Sequence, residues 1–331
     1  MSKGTVLRRS LLGAASLVAL PRRQVAAQGN AQGTAWPERP VRVIIPYAAG
    51  GGADTVGRIL FAKLGEILGG NFIIENRGGG AGTIGAAVAA QAPPDGYTLL
   101  HDATALSVNP ALFERLPYDT RQAFRPVFLA ARVPNLLLVH PSVPATTVRD
   151  VIALAKAAPD GLDFASSGNG TVQHMCLEMF ARQAGIKLNH IPYRGGAPAL
   201  TDLIGGQVKF FFSNASSSTG HARAGRVKPI AHTGTGRIAA FPDLPSVAET
   251  LPGFEAYEWN GVFTPAGVPD AILEKLSRGL NEVIRDPAVA ERLAGLNVEA
   301  RPNSPAEFAT FLDSEITKWG KLVREAGIKL D

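Results

Sequence analysis

The stretch VRVIIPYAAGGGADTVGRILFAKLGEIL, residues 41–68, contains the signals of a strand, a glycine-rich turn and a helix in direct succession. Residues 41–47 are a continuous apolar run that predicts a strand. From Thr55 to Leu68 the apolar side chains recur on one helical face, and Asp54 stands where an N-cap is expected. The stretch is therefore predicted to be a βα unit.

Similar units follow along the chain. Strands are predicted at 71–76 and 97–101, and a new α/β set begins after a long apolar stretch at about 127–141. Within that set we predict strands at 162–167, 188–193, 208–213 and 227–233 and helices at 147–157, 171–184 and 197–206, and after a second long apolar stretch at 255–267 we predict helices at 270–284, 286–294 and 306–326. Repeated βα units predict an α/β fold with mostly parallel sheets flanked by helices.

Two helix starts carry specific capping signals. Asp286 followed by Pro287, and Ser304 followed by Glu307, have the spacing of helix N-caps.

The two long apolar stretches each connect two α/β blocks, so the chain is expected to cross between two lobes twice. Two crossings of this kind make a hinge.

A glycine motif within residues 71–92 suggests a competing function. Gly80, Gly82 and Gly85 have the G-x-G-x-x-G spacing of dinucleotide-binding loops, and Asp102 follows the next strand, where a ribose-binding acid is expected. In such folds, however, the glycine loop leaves the first strand directly, whereas here a complete βα unit precedes it. The glycines would otherwise allow positive φ angles and close helix–strand packing. An exported dinucleotide-dependent oxidoreductase therefore stays as an alternative.

The N-terminus has the layout of an export signal. Basic residues precede an apolar run at 11–20, and small residues predict cleavage after Ala27. The Arg8-Arg9 pair fits a twin-arginine signal. The apolar run is about half of the ~20 residues that span a bilayer. Residues 1–27 are thus expected to direct export to the periplasm by the twin-arginine route.

Charge and composition exclude several classes of protein. The chain has 33 Lys and Arg against 28 Asp and Glu, and the predicted signal contains five basic and no acidic residues, which leaves 28 against 28. A formally neutral mature protein offers no electrostatic basis for binding nucleic acid. The single cysteine, Cys176, cannot form an internal disulfide, and the six histidines lack metal-ligand spacing. Neither a metal nor another cofactor is expected.

Two glycine-rich turns are candidate anion sites. In PYAAGGGADTVGR, residues 46–58, the turn brings main-chain N–H groups and a helix N-terminus to the carboxyl edge of the sheet. No Gly-Lys-Ser/Thr follows, so this turn is not a P-loop. FASSGNGTVQH, residues 164–174, does the same before another helix and lacks the G-x-S-x-G pattern of a serine hydrolase. His174 either contacts the ligand or braces this second turn.

Several motifs together resemble one family. The motifs are PERPVRVIIPYAAGGGADTVGR, ENRGGGAGTIGA, APPDGYTLL, NPALFERLPYD, FASSGNGTVQH, IPYRGGAPALTDLIGGQV and WGKLVREAGIKLD. They resemble the substrate-binding proteins of tripartite tricarboxylate transporters, known as the Bug family. The similarity runs in order from about Trp36 to Asp331, and several of these motifs have no metal or nucleotide meaning.

The resemblance implies a fold, a function and partners. The fold is a two-lobed periplasmic-binding-protein fold (type II, Venus flytrap), with lobe one at 36–132 plus 257–331, lobe two at 133–256, and hinge crossings near 128–139 and 255–263. The implied function is capture of a small carboxylate, such as a di- or tricarboxylate or an aromatic acid, and its delivery to the integral-membrane permease. A monomer without enzymatic activity is expected, and a periplasmic ligand sensor is a further alternative.

The resemblance also implies a site between the lobes. In the family the ligand carboxylate meets the turn after the first strand, here residues 47–52, and the glycines at 80, 82 and 85 form a structural turn. The predicted ligand-binding residues are Tyr47, Ala48, Gly50, Gly51, Gly52, Asp102, Ala103, Thr104, Ser166, Ser167, Gly168, Asn169, Gly170, Thr171, His174, Ser213 and Asn214. No catalytic residue and no metal ligand is predicted.

Two departures from the family bear on the ligand. Many members carry an aspartate at the position of Ser213, where it can meet a ligand amino group or hydroxyl. Serine removes that charge, which favours ligands without an amino group. His101 and Asp102 stand where relatives often have a Gly/Thr-rich loop, so the pocket wall is expected to be unusual there.

Overall fold

The fold is built by residues 35–328, which together with residues 1–2 are the part of the chain that this computed structural model describes. Apart from its first two residues, the predicted export signal with its twin-arginine pair lies outside the described residues. Within 35–328 the strands are β1 (Val41–Ile45), β2 (Phe72–Asn76), β3 (Thr98–Ala103), β4 (Phe124–Val139), β5 (Leu162–Ser166), β6 (Leu188–Pro192), β7 (Phe210–Asn214), β8 (Lys228–His232) and β9 (Tyr257–Pro265).

Helices follow most of the strands. They are α1 (Gly52–Leu68), α2 (Thr83–Ala90), α3 (Ala105–Leu112), α4 (Thr120–Ala123), α5 (Val148–Ala157), α6 (Val172–Ala184), α7 (Gly196–Ile204), α8 (Ala215–Arg223), α9 (Asp270–Val283), α10 (Pro287–Gly295) and α11 (Pro305–Ala326). Short 3₁₀ turns lie at Gly80–Gly82 and Val247–Glu249. No helix in the described residues combines the length and the apolar character that a membrane span requires.

The strands pair in the order β2-β1-β3-β9-β4-β7-β5-β6, and β8 also pairs with β4. Strands β2, β1 and β3 run parallel to one another, as do β6, β5 and β7. Between these two groups, β9 and β4 run antiparallel to their neighbours. Two parallel groups, each with helices after its strands, therefore flank a central antiparallel pair.

Strand β4 joins the two parallel groups. Its residues from Phe124 to Pro134 pair with β9, and its residues from Asn135 to Val139 pair with β7. The exchange of partners falls at Pro134, which has no N–H to donate to a ladder. Beyond it, the Asn135 N–H and C=O bond the Thr233 side chain and main chain, at 2.9 Å each.

Strands β1 and β3 are buried on both faces, which explains their apolar runs. In β1, Val43 and Ile45 belong to the cluster that contains the α1 side chains, while Ile44 faces Phe263 and Phe308 on the other side of the sheet. Helices thus cover both faces of the first parallel group, as the α/β pattern predicted.

The predicted strands and most predicted helices are present within a few residues of their expected ends. The N-caps at Asp286 and Ser304 are confirmed, the latter as a complete capping box with Glu307. The predicted N-cap at Asp54 is wrong, because α1 begins three residues earlier than expected and Gly51 occupies the N-cap position. Glycines there allow the helix to start directly at the turn.

Three helices, α3, α4 and α8, were not predicted. Helix α3 contains a proline at position 110, and α8 is composed mostly of Ser, Thr, Gly and Ala. Neither composition favours a helix. In α8 the hydroxyls of Ser218 and Thr219 bond main-chain carbonyls one turn back, and the Asn214 side chain caps the first turn. Local side-chain hydrogen bonds therefore replace intrinsic propensity.

Gly261 in β9 offers a test of the packing between the central strands and α11. A methyl group at this position would lie 2.2 Å from Cζ of Phe308, whose ring is fully buried. We expect Gly261→Ala to lower the free energy of unfolding by about 1–3 kcal/mol, as overpacking of a core does. Urea unfolding followed by circular dichroism measures this loss.

Gly220→Ala in α8 is the matched control. Its added methyl group would have no neighbour within 4 Å, and a helical Gly→Ala change costs nothing in propensity. We expect this variant to be as stable as the wild type or slightly more stable. Equal losses in the two variants would contradict the packing argument.

Candidate functional site

The turn between β1 and α1 is held by Asp54 from inside the helix. The buried Asp54 carboxylate accepts hydrogen bonds from the Gly50 N–H (2.8 Å), Arg58 Nε (2.9 Å) and Asn76 Nδ2 (2.9 Å). Burial opposes ionisation, but the bonds from Arg58, Gly50 and Asn76 together hold the pKa of Asp54 below its usual value. Asp54 is thus a structural anchor of the glycine turn.

Tyr47 and Asp102 form a pair at the ends of β1 and β3. The Tyr47 hydroxyl donates to Asp102 Oδ1 at 2.7 Å, and the same oxygen accepts the Ala103 N–H at 2.7 Å. Burial raises the pKa of Asp102 to about 7, although both hydrogen bonds act in the opposite direction. Burial and the charge of Asp102 raise the pKa of Tyr47 well above its ordinary value. The phenol therefore keeps its proton and directs it at Asp102.

Ala103 and Thr104 are buried and tie β3 to β9. Ala103 pairs with Asn260 in the ladder. The Thr104 hydroxyl accepts the Trp259 N–H at 3.0 Å and lies 3.4 Å from the Tyr257 carbonyl oxygen. Both predicted site residues thus have structural contacts. His101 is also buried, with Nε2 at 3.1 Å from the Ala53 carbonyl, so its unusual side chain lies in the core.

Most polar groups of the turn after β5 are satisfied within the turn. The Ser166 hydroxyl lies 2.5 Å from His190 Nε2 and accepts the Gly168 N–H at 3.0 Å. The Thr171 side chain caps α6 and donates to the Gly168 carbonyl at 2.7 Å. Only a few donors of this turn are left for a ligand.

His174 braces this turn. Its Nδ1 accepts the Gly170 N–H at 3.3 Å, and its ring stacks on His190 with centroids 3.8 Å apart. Burial, together with the neighbouring His174, lowers the pKa of His190 to about 3. Of the two roles considered from the sequence, bracing is thus observed in the structure.

The side chains of Ser167 and Asn169, unlike those of Ser166, Thr171 and His174, are not hydrogen-bonded within this turn. No hydrogen bond joins either side chain to another described residue. The Ser167 hydroxyl oxygen lies 3.3 Å from the position that a Cβ on Gly196 would occupy, at the first residue of α7. Ser167 is partly buried and Asn169 is exposed. The free hydroxyl therefore lies beside a helix N-terminus.

At the end of β7, Ser213 and Asn214 take separate roles. The Ser213 hydroxyl is buried without a hydrogen-bond partner among the described residues. The Asn214 Oδ1 accepts from the Ser216 N–H at 2.8 Å and caps α8. Asn214 also approaches the first turn, since its Nδ2 lies 3.9 Å from the Cβ position of Gly52.

Glu258 on β9 also lies beside Gly52 and Asn214, and it was not predicted from the sequence. Its Oε1 lies 3.6 Å from the same Cβ position of Gly52, and its Oε2 accepts a hydrogen bond from Gln173 Nε2 at 2.9 Å. Gln173 belongs to the first turn of α6 and also donates to Asn135. The N-terminal turns of α1, α6 and α8 thus converge around one carboxylate. The signal in the sequence was an acid between Tyr257 and Trp259 in a largely apolar strand.

The glycines of the dinucleotide-like motif are used for packing. A Cβ on Gly85 would lie 2.9 Å from Pro46 Cα, and a Cβ on Gly82, whose φ is +88°, would lie 3.3 Å from the Tyr47 hydroxyl. The carbonyl of Ala81, directly before Gly82, accepts a hydrogen bond from Asn109 Nδ2 at 3.0 Å. These contacts match the alternative of positive φ and close helix–strand packing that the sequence left open.

The described residues contain no group of three or more His, Cys, Asp or Glu side chains that could hold a metal ion. Cys176 is buried and unpaired, as expected for the single cysteine. The polar groups that do come together are main-chain amides, side-chain amides, hydroxyls and carboxylates near the carboxyl ends of parallel strands. This is the position where open α/β sheets bind ligands.

Comparison with known proteins gives a family and a fold. The model of the "Tripartite tricarboxylate transporter family receptor" matches residues 56–328. The protein BugT of Bordetella pertussis is 33% identical over 298 residues, which cover 89% of this chain and 91% of BugT. The family resemblance seen in the motifs is therefore confirmed.

Two solved structures with bound ligands superpose closely. A protein of R. palustris with adipate is 34% identical, with a TM-score of 0.84 over 89% of this chain and 100% of that one. MatC from Rhodopseudomonas palustris with bound malate is 32% identical, with a TM-score of 0.80 over 87% and 100% of the two chains. The predicted two-lobed α/β periplasmic-binding-protein fold is confirmed, and these relatives are solute-binding proteins.

The raised pKa of Asp102 predicts a pH-dependent stability. The folded protein holds this proton up to about pH 7, whereas an unfolded aspartate releases it near pH 3.9. The contribution of protonated Asp102 to the free energy of unfolding is therefore fully present below about pH 4 and is lost as the pH rises through about 7. Asp102→Asn keeps an acceptor for Tyr47 and removes the titration. We expect the stability of the wild type relative to this variant to fall by a few kcal/mol between pH 4 and 8.

Urea unfolding at several pH values measures this difference. Asp243→Asn, at an exposed position, is the control and should leave the pH profile of the wild type unchanged. Parallel profiles for wild type and Asp102→Asn would show that Asp102 does not titrate in this range.

Gly82→Ala tests the structural role of the glycine motif. The positive φ strains any other residue, and the methyl group would press on the Tyr47 hydroxyl, so a loss of roughly 1 kcal/mol or more in unfolding free energy is expected. Gly225→Ala has a similar φ of +69° but no neighbour within 4 Å. The loss at Gly82 should exceed that at Gly225. Equal losses would mean that the Tyr47 contact contributes nothing.

Proposed function

This chain belongs to the tripartite tricarboxylate transporter receptor family, and we propose from that premise that it captures a small carboxylate in the periplasm. It delivers this ligand, a di- or tricarboxylate or an aromatic acid, to the integral-membrane permease of a tripartite tricarboxylate transporter. The relatives that were solved with adipate and with malate support a carboxylate as the ligand class.

The observation that carries the proposal is the convergence of helix N-termini from two parallel groups of strands. Helix α1 follows β1 of one group, and α6, α7 and α8 follow β5, β6 and β7 of the other. Gly52 of α1 lies beside Asn214 at the start of α8. Each helix N-terminus carries unpaired N–H groups and a partial positive charge, so an anion between them is stabilised without a full cationic side chain.

The carboxylate binds on the side of the β5 turn. Ser167 has a free hydroxyl there, next to the N-terminus of α7 at Gly196, and the Asn169 side chain is also unengaged. The predicted residues from Tyr47 to Gly52 approach from the other group of strands. Asp102, Thr104, Ser166, Thr171 and His174 act mainly by holding these turns in place.

Two lobes move about β4 and β9. Lobe one comprises about 36–132 plus 257–331 and lobe two about 133–256, with crossings near 128–139 and 255–263. The partner exchange at Pro134 and the ladder between β4 and β9 support hinges at these places. A ligand that contacts both lobes binds the closed state better than the open one, which is the condition for ligand-driven closure.

The protein performs no chemical reaction in this function. The relatives are solute-binding proteins, and the glycines at 80, 82 and 85 are engaged in packing, which argues against an exported oxidoreductase. A purified protein with nicotinamide or flavin absorbance would restore that alternative. A periplasmic sensor would use the same site but pass the signal to a receptor, and loss of uptake after gene deletion separates transport from sensing. The protein is a monomer exported by the twin-arginine route.

Ser167→Ala tests the carboxylate site. We expect the variant to bind a carboxylate, selected from a thermal-shift screen of organic acids, more weakly by about 1.5–3 kcal/mol, the value of a hydrogen bond to a charged group. Isothermal titration calorimetry measures the change. The hydroxyl has no partner among the described residues, so the stability of the protein without ligand should hardly change.

Ser314→Ala on α11, where the hydroxyl bonds only its own helix, is the control and should bind like the wild type. Normal affinity in Ser167→Ala would exclude the β5 turn as the carboxylate site. If no acid in the screen raises the melting temperature of the wild type, the proposed function itself is wrong.

A further inference from the structure

The site contains a carboxylate of its own, and we infer that Glu258 determines specificity by accepting a hydrogen bond from a donor group of the ligand, a hydroxyl or an ammonium. The ligand then has an acid at one end, held near Ser167, and a donor on the carbon chain that reaches Glu258. This inference rests on the proposed function and adds to it the chemistry of the second group.

The position of Glu258 leaves one of its oxygens free. Gln173 Nε2 donates to Oε2 of Glu258 at 2.9 Å and to Asn135 Oδ1 at 2.9 Å. Because Gln173 is itself held by Asn135, its bond to Oε2 fixes the orientation of the carboxylate. The other oxygen, Oε1, accepts no hydrogen bond from the residues that the structure describes and lies 3.6 Å from the Cβ position of Gly52. A fixed carboxylate thus presents one oxygen to the meeting point of the three helices.

Glu258 is not explained as part of an ion pair. Within residues 35–328 no Lys, Arg or His lies within 4 Å of its carboxylate, whereas its neighbour Glu255 pairs with Arg132 at 2.9 Å. A partly buried carboxylate with a single amide donor loses hydration that is not fully replaced. A donor supplied by the ligand replaces it.

The neighbours of Glu258 on the same wall are also acceptors. The proton of the Tyr47 hydroxyl is directed at Asp102 Oδ1, so this hydroxyl offers the ligand lone pairs. Asp102 itself is 1% exposed and is engaged by the Tyr47 hydroxyl and the Ala103 N–H. Both carboxylates are near enough to raise the pKa of Tyr47 by their charge. Acceptors on this wall are matched by a donor on the ligand.

Space for such a group depends on Gly52. The Glu258 Oε1, the Ser216 hydroxyl and the Asn214 amide nitrogen lie 3.6, 3.8 and 3.9 Å from the position of a Cβ at this residue. A glycine leaves the point between these three polar atoms without a side chain. An acceptor, a hydroxyl and an amide around one point suit a hydroxyl or an ammonium, each of which can donate to Glu258.

The experiment compares acids that share a skeleton and differ in one group. Succinate, malate and aspartate carry hydrogen, hydroxyl and ammonium on the same carbon, and glutarate, 2-hydroxyglutarate and glutamate extend the series by one carbon. Calorimetry with the purified wild-type protein should show that a donor-bearing acid binds at least about tenfold tighter than its parent acid in the series that binds. The hydroxyl and ammonium members identify which donor is used.

Glu258→Gln should abolish this preference, because one face of the amide is a donor, and the ratio of the two affinities should fall to about one. Glu258→Asp keeps the charge and should retain part of the preference. Glu291→Gln, an exposed position on α10, removes the same charge elsewhere and should leave the ratio at its wild-type value.

Each outcome decides one claim. A wild type that binds parent and donor-bearing acids equally, or a Glu258→Gln variant with an unchanged ratio, overturns the inference while the carboxylate function stands. A wild type that binds none of these acids, nor any acid in the wider screen, overturns the proposed function together with the inference. The wild-type comparison needs no variant, so it remains decisive even if Glu258→Gln does not fold.

Discussion

The rest of the structure depends on one strand that belongs to two sheets. Strand β4 gives its first eleven residues, Phe124 to Pro134, to the ladder with β9 and its last five, Asn135 to Val139, to the ladder with β7. Every other strand joins one side or the other of this shared strand. Strand β4 pairs with β9 along one part of its length and with β7 and β8 along the other, so the ladders of the two groups meet in it.

This connection also fixes where the polar groups meet. Parallel strands in each group point their carboxyl ends at a common edge, so the turns after β1, β5, β6 and β7 come together without any one of them having a binding sequence of its own. Glu258 enters the same place from β9, where it pairs with Val133, one residue before the point at which β4 changes partners. A residue on a shared strand can therefore contact helices of both groups, as Glu258 does with Gln173 and Gly52.

The sequence was sufficient where the physical signal is local. Unbroken apolar runs predicted β1 and β4, and cap spacing predicted the starts of α10 and α11. It was insufficient where the structure depends on distant contacts. Helix α8 is held by its own hydroxyl bonds and by its position after β7, and the Thr171 hydroxyl is engaged as a cap, which a list of polar residues in a glycine-rich turn does not reveal. Glu258 is significant only because α1, α6 and α8 converge on it, and that convergence is a property of the sheet order.

The charge balance around Glu258 favours one kind of ligand group beside it. Three helix N-termini contribute roughly half an elementary charge each, together about +1.5, and Glu258 contributes −1. Asp54 in the first turn of α1 is paired with Arg58 and changes this sum little. The result is a slight positive excess, about +0.5, which a carboxylate from the ligand would reverse and an ammonium would increase to about +1.5. A neutral hydroxyl leaves the excess unchanged while it still satisfies the free oxygen of Glu258.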